Sequence, residues 1–111
     1  MDKLAQYRQF VQEILQEYAE RRPAYGEIEM ELTLDVEHDH YQLLSLGWND
    51  LERIHGTLLH VDIRGGKIWI QYDGTEEGIA NRLVDLGVPK SEIVLAFHPP
   101  YKRPYTGYAT N

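Results

Sequence analysis

The sequence of 111 residues contains no cysteine, which excludes disulfide bonds and thiolate metal sites. Serine is almost as scarce, and neither Ser45 nor Ser91 lies in the Gly-x-Ser-x-Gly pattern of serine hydrolases. No apolar run approaches the roughly 20 residues that cross a bilayer, and the first residues lack the pattern of a signal peptide. We therefore expect a cytoplasmic protein without a membrane span and without a cysteine or serine nucleophile.

Basic residues are also scarce relative to acidic ones, with 11 Lys and Arg against 18 Asp and Glu, so the formal net charge is −7. This balance disfavours a broad nucleic-acid footprint, since backbone phosphates bind basic surfaces. The charge is unevenly spread: residues 27–39 hold six acids and no Lys or Arg, whereas residues 98–111 hold Lys102 and Arg103 and no acid. Any contact with phosphate would therefore be expected near the C-terminus.

Regular spacing of apolar residues predicts the elements of the first half. Spacings of three and four predict a helix over residues 3–21, capped by Asp2 and stopped by Pro23. Residues 28–36 alternate apolar inward-facing and polar outward-facing side chains, as in a half-buried antiparallel strand. Polar turns separate the next two strands, and Gly56 suggests a bulge in the second of them.

Gly65 and Gly66 can supply the positive-φ residues of a two-residue hairpin turn. That turn length predicts four cross-strand pairs: Arg64–Lys67, Ile63–Ile68, Val61–Ile70 and Leu59–Tyr72. The apolar residues then share one face, and a shift by one residue would destroy this match. The opposite face would carry the polar pair His60–Gln71 and the pair Asp62–Trp69.

A second helix is predicted after the Asp73–Gly74 turn, with Thr75 as its cap and Gly87 at its end. Glu76 and Glu77 would lie in its first turn, where negative charge suits the helix dipole. Residues 93–97 read as a short buried strand or the end of a packed segment. Three prolines in residues 98–111 predict an extended, polyproline-like tail.

The expected fold class is α+β, in a single domain spanning residues 1–111. It consists of an antiparallel four-stranded meander, an N-terminal helix and a second helix packed on one face, and an extended C-terminal tail rich in proline and tyrosine.

Catalysis is the less favoured interpretation of the polar residues. His60, Asp62 and Asp73, beside Gln71, could in principle support metal-dependent hydrolysis. However, no acid directly faces His60 across the predicted hairpin. We therefore expect no enzyme activity, no catalytic residue and no cofactor.

Two other groups of residues resemble metal ligands by type alone. The acidic row in residues 27–37 offers carboxylates, and His38 and His40 offer imidazoles. An edge strand protected by charge explains the first group, and a polar turn explains the second. We favour these interpretations and expect no metal site.

Protein contact is the favoured use of the remaining polar face. Trp69, surrounded by His60, Asp62 and Gln71, has the character of the aromatic anchors in protein interfaces. The tail supplies further candidate partner-binding residues, namely Tyr101, Lys102, Arg103, Tyr105 and Tyr108. The same tail could stack on bases, so a nucleic-acid-binding module is the alternative. An exposed tryptophan face could also join a second copy in a homo-oligomer.

Several segments of the sequence resemble the XisI family. The central one reads Lys-Ile-Trp-Ile-Gln-Tyr-Asp-Gly-Thr-Glu over residues 67–76. Further matching segments are residues 1–4, 39–43, 47–48, 78–80, 86–90, 93–95 and 100–103, so the resemblance covers nearly the whole chain. XisI proteins are known as controlling factors for excision of the fdxN element, a developmentally regulated DNA rearrangement in filamentous nitrogen-fixing bacteria.

This resemblance implies a role beside a site-specific recombinase, together with a companion protein, XisH, that looks nuclease-like. It carries over no catalytic residues and does not imply that this chain cuts DNA. The expected function is therefore that of an accessory factor for DNA excision. It would contact an XisH-like companion directly and the recombinase indirectly.

Overall fold

The computed structural model describes residues 2–21 and 26–111, which form an α+β fold. The elements in chain order are α1 (Lys3–Glu20), β1 (Glu27–Asp35), β2 (His40–Asn49), β3 (Glu52–Arg64), β4 (Lys67–Asp73), α2 (Ile79–Asp85) and β5 (Ile93–Leu95). The sheet has the order β1-β2-β3-β4-β5, and β5 runs parallel to β4. The predicted α+β class is confirmed. The predicted four-stranded antiparallel sheet is wrong, because the sheet has a fifth strand that runs parallel to β4. In the described ranges, no helix is long and apolar enough to cross a membrane.

The first helix forms where the apolar spacing predicts it. Asp2 caps it by accepting a hydrogen bond from the Leu4 backbone N–H at 3.1 Å. Its buried face consists of Tyr7, Val11, Ile14, Leu15 and Tyr18. The predicted role of Pro23 lies outside the described residues.

The turn between β1 and β2 is fixed by Asp39, which has a left-handed φ of 59°. Its carboxylate accepts hydrogen bonds from Arg8 Nε at 2.8 Å, Arg8 Nη2 at 3.1 Å and the Tyr41 hydroxyl at 2.8 Å. The hydrogen bonds from Arg8 lower the pKa of Asp39 and outweigh its partial burial. The turn is thereby tied to α1, and this fixes the position of the next residue, His40.

The Gly65–Gly66 turn produces three of the four predicted pairs: Arg64–Lys67, Ile63–Ile68 and Val61–Ile70. The fourth is wrong, because a bulge at Gln71 places His60 opposite Tyr72 and Leu59 opposite Asp73. Tyr72 is consequently half exposed rather than buried. The predicted His60–Gln71 pair is wrong for the same reason.

A second bulge lies in β3 at Leu58 rather than at Gly56, because Leu43 pairs with Leu59 and Leu44 with Thr57. Gly56 pairs regularly with Ser45. Val36 was expected to face the core but lies in the turn after β1 and is 54% exposed.

The second helix begins at Ile79, so the prediction that Thr75 caps it is wrong. Asp73 stabilises this junction instead: its Oδ2 accepts from the Ile79 N–H at 2.8 Å and its Oδ1 from the Thr75 N–H at 2.9 Å. Glu76 and Glu77 therefore precede the helix. Glu77 accepts a hydrogen bond from the Tyr18 hydroxyl, which links this segment to α1.

Both helices pack on one face of the sheet, as predicted. The core contains the inward-facing residues Tyr41, Leu43, Leu59, Val61, Ile63, Ile68, Ile70 and Ile93, which meet the buried faces of α1 and α2. The opposite side of the sheet, the outer face, carries the alternate residues of each strand.

The tail is folded, so the predicted extended polyproline-like path is wrong. It makes tight turns through residues 96–102 and a 3₁₀ helix at Arg103–Tyr105. It then runs beside β5, where Val94 pairs with Ala109 in a parallel bridge. The Ala109 N–H donates to the Ile93 carbonyl at 2.9 Å.

Candidate protein-interaction surface

A buried carboxylate organises the outer face where β2, β3 and β4 meet. Asp62 is 4% exposed, although it was expected on an open surface. It lies opposite His40 on β2 and Trp69 on β4, and four side chains surround it. Its Oδ1 lies 2.9 Å from His40 Nδ1 and 3.1 Å from His60 Nε2, and its Oδ2 lies 3.2 Å from Gln71 Nε2 and 3.5 Å from Arg64 Nη2.

This environment keeps Asp62 ionised. Burial by itself would raise the pKa of Asp62, but the hydrogen bond from His40 and the nearby charge of His60 lower it. Both oxygens already accept hydrogen bonds, so the carboxylate serves to hold its neighbours in place. The side chains of His40 and Arg64 are more than half exposed and are the parts of this cluster open to a partner.

Trp69 is partly covered, which corrects its interpretation as an open anchor. Its indole N–H donates to the Arg64 carbonyl at 3.2 Å. The guanidinium of Arg64 lies 4.8 Å from the ring centroid, and that of Arg103 lies 5.8 Å from it. The predicted tryptophan surface and the predicted tail surface are therefore one continuous surface.

Arg103 holds the tail in this position. It donates to the carbonyls of His98, Ala96 and Thr110, at 3.0, 3.4 and 3.4 Å. Val94 shares the outer face with Trp69 and is fully buried. Its burial shows that the folded tail covers the outer face at the β5 edge.

The tail residues predicted to bind a partner divide into two groups. Tyr101 and Tyr105 are 71% and 88% exposed, and Lys102 is exposed beside them. Tyr108 instead packs against the core, with Lys90 Nζ 5.4 Å from its ring centroid. Tyr108 and Arg103 thus have structural contacts, whereas Tyr101, Lys102 and Tyr105 remain accessible.

The residues considered for metal chemistry are not gathered into a site. Asp73 supports the start of α2, away from the pairing of His60 with Asp62. His38 lies 2.9 Å from Asp35, so the two neighbouring histidines contact different acids. Within residues 2–21 and 26–111, no group of three or more His, Asp or Glu side chains is arranged so that it could hold a metal ion.

The sequence interpretation missed an apolar ridge on the outer face of β2, formed by Leu44, Leu46 and Trp48. Trp48 is 50% exposed and the two leucines are partly exposed. None of the three belongs to the core or packs against it. The signal was present in the sequence, because β2 is apolar at 41 and 43 on one face and at 44, 46 and 48 on the other.

Comparisons with known proteins agree with this architecture. The model of the XisI protein family matches residues 1–110. Among curated proteins, none matches the sequence. The structure is similar to the crystal structure of a XisI-like protein from Anabaena variabilis ATCC 29413, with 42% identity, a TM-score of 0.89 and coverage of 96% of this chain and 97% of that one.

A second crystal structure from the same organism is named fdxN element excision controlling factor XisI. It is 34% identical, has a TM-score of 0.87, and the match covers 99% of this chain and 100% of that one. From the family match and these two structures, the chain belongs to the XisI family.

Proposed function

We propose that this protein is a controlling factor for site-specific DNA excision of the fdxN type and that it acts through protein contacts. Membership of the XisI family and the name of one structural neighbour support this role. The proposed direct partner is an XisH-like companion protein, through which the factor influences a recombinase. In this proposal the chain itself catalyses no reaction.

The accessible tyrosines of the tail are the single observation that favours a protein partner. Tyr101 and Tyr105 are among the most exposed large side chains in the described residues. Tyrosine is enriched at the energetically dominant positions of protein interfaces. Because Arg103 already fixes the surrounding backbone, binding would order little additional chain.

The composition of the same surface disfavours nucleic acid as the direct partner. Phosphate binding requires several cations that are free to contact the backbone. Arg103 is occupied by three carbonyl groups, which leaves Lys102 as the exposed cation beside the two tyrosines. We therefore expect the isolated chain to bind DNA weakly or not at all at physiological salt.

The proposal is tested by mixing the full chain with its purified XisH-like companion and analysing the mixture by size-exclusion chromatography. The expected result is joint elution, with no DNA gel shift by the chain alone. Separate elution would overturn the proposed partner. A gel shift by the chain alone, weakening steeply with salt, would favour the nucleic-acid-binding alternative.

A further inference from the structure

The apolar ridge of Leu44, Leu46 and Trp48 lies between a row of acidic side chains on β1 and a row of hydrogen-bond donors on β3. On β1, the facing residues are Glu31, Glu29 and Glu27. On β3, they are Thr57, His55 and Arg53. Carboxylates therefore line one side of the ridge, and hydrogen-bond donors, including a guanidinium, line the other.

The charged members of these rows have few contacts with other described residues. Between the described residues, neither the three glutamates nor Arg53 forms an ion pair. The Arg53 guanidinium lies 5.4 Å from the Trp48 ring centroid and donates to the Gly47 carbonyl at 3.3 Å. It therefore remains on the outer face beside the ridge.

We propose that a second copy of this chain covers the ridge, related by a two-fold axis parallel to β2. Rotation about that axis places the ridge of one copy on the ridge of the other. It also brings β1 of each copy over β3 of its partner. Glu27 of each copy then faces Arg53 of the other, and Glu29 faces His55.

The charge pattern selects this axis over the other face-to-face arrangement. A two-fold axis perpendicular to the strands would place β1 over β1 and bring the two glutamate rows together. Like charges in a contact weaken association, whereas opposite rows attract. An isologous interface must be complementary to itself, and the rows that flank the ridge, Glu27 to Glu31 on β1 and Arg53 to Thr57 on β3, meet that requirement only with the axis along the strands.

The proposed axis brings three strands of each copy into contact, namely β1, β2 and β3. The 10 residues of β2 extend about 33 Å, and the three overlapping strands measure about 14 Å across. The projected area is therefore about 460 Å², to which side-chain relief adds, whereas stable interfaces bury roughly 800 Å² per partner. Aligned packing of two sheets through their side chains is also a common arrangement.

Reciprocal charge reversal tests the proposal. Sedimentation equilibrium of the wild-type chain is expected to give twice the monomer mass of 13.0 kDa. Glu27→Arg and Arg53→Glu are each expected to yield monomers, because each variant pairs like charges twice. An equimolar mixture of these two variants is expected to restore the dimer, because both contacts then join opposite charges.

The mixture needs a control for nonspecific attraction between oppositely altered chains. Glu20→Arg mixed with Lys102→Glu supplies it, because both positions are exposed and lie outside the ridge and its flanking rows. Each of these variants should dimerise alone, as the wild type does. A Leu46→Lys variant, with its fold checked by circular dichroism, is expected to be monomeric by itself and in every mixture.

A monomeric wild type would overturn the proposal, as would a dimer that persists in both single charge variants. If the wild type is monomeric and Leu46→Lys weakens binding of the XisH-like companion, the ridge belongs to that partner. This inference is independent of the proposed function, because companion binding is assigned to Tyr101 and Tyr105 on the tail. Either claim can fail without the other.

Discussion

The guanidinium of Arg103 lies 5.8 Å from the ring centroid of Trp69, so the C-terminal tail and β4 form one surface. Arg103 also donates to three carbonyl groups of the tail. One side chain therefore shapes the turns and holds them against the sheet. The position of Tyr101 and Tyr105 depends on this arrangement.

Arg103→Ala is predicted to loosen the tail and lower the free energy of unfolding by about 2 kcal/mol, because several charge-assisted hydrogen bonds are lost. Trp69 should become more exposed, and its fluorescence should shift to the red in a Trp48→Phe background. Urea denaturation and emission spectra measure the two effects. Lys102→Ala is the matched control, and its exposed side chain predicts a change within about 0.5 kcal/mol. Equal unfolding free energies and equal Trp69 emission in the two variants would contradict the structural role of Arg103.

Asp62→Asn is predicted to destabilise the protein by about 2 kcal/mol at neutral pH, since a buried carboxylate with four neighbouring donors loses its charge. The pKa of Asp62 is lowered on folding, so its stabilisation is present above the unfolded pKa of about 4 and disappears as the pH falls through the folded value.

The difference in unfolding free energy between wild type and Asp62→Asn should therefore narrow with acidification below pH ~4. Denaturation curves at a series of pH values measure it. Asp39, whose pKa is also lowered, is present in both proteins, so its contribution cancels. A difference that stays constant through the acid range would show that Asp62 does not stabilise the fold through its charge.

Gly47→Ala is predicted to destabilise the β1–β2 pair severely, by about 3 kcal/mol or more. A Cβ atom at Gly47 would lie 2.0 Å from the Glu27 carbonyl oxygen and 2.8 Å from Ile28 Cα, and the φ of 152° is itself unfavourable for alanine. Gly56→Ala is the control, because no atom lies within 4 Å of its Cβ position. Thermal unfolding measures the melting temperatures of the two variants. Equal melting temperatures would contradict the close approach of the β1 backbone to Gly47.

The sequence predicted the elements whose side-chain pattern is local. Alternation located β1, and the Gly65–Gly66 turn gave the correct register as far as Val61–Ile70. The bulge at Gln71 was missed, and the bulge in β3 was predicted at Gly56 instead of Leu58, because an added residue changes the facing direction without altering composition. The bulge at Gln71 is the reason that the predicted cross-strand partners of His60 and Tyr72 were wrong.

The candidate surface was predicted by residue type but not by accessibility. Tyr101, Lys102 and Tyr105 are exposed as expected, whereas Asp62 is buried and Trp69 is partly covered. Both differences arise from long-range packing: donors from three strands surround Asp62, and the tail folds back over Trp69. Three prolines suggested an extended tail, but Arg103 and the Val94–Ala109 bridge supply contacts that local propensity does not contain.

The central claim is that the accessible tyrosines of the folded tail bind the XisH-like companion. Isothermal titration of the companion with the wild-type chain and with a Tyr101→Ala/Tyr105→Ala double variant tests it most directly. Leu51→Ala is the control, because Leu51 is 96% exposed and lies in the turn between β2 and β3, outside the tail. We predict that the double variant binds at least about 30-fold more weakly, as expected when an interface loses about 2 kcal/mol, while Leu51→Ala binds like the wild type. Unchanged affinity of the double variant would contradict the account.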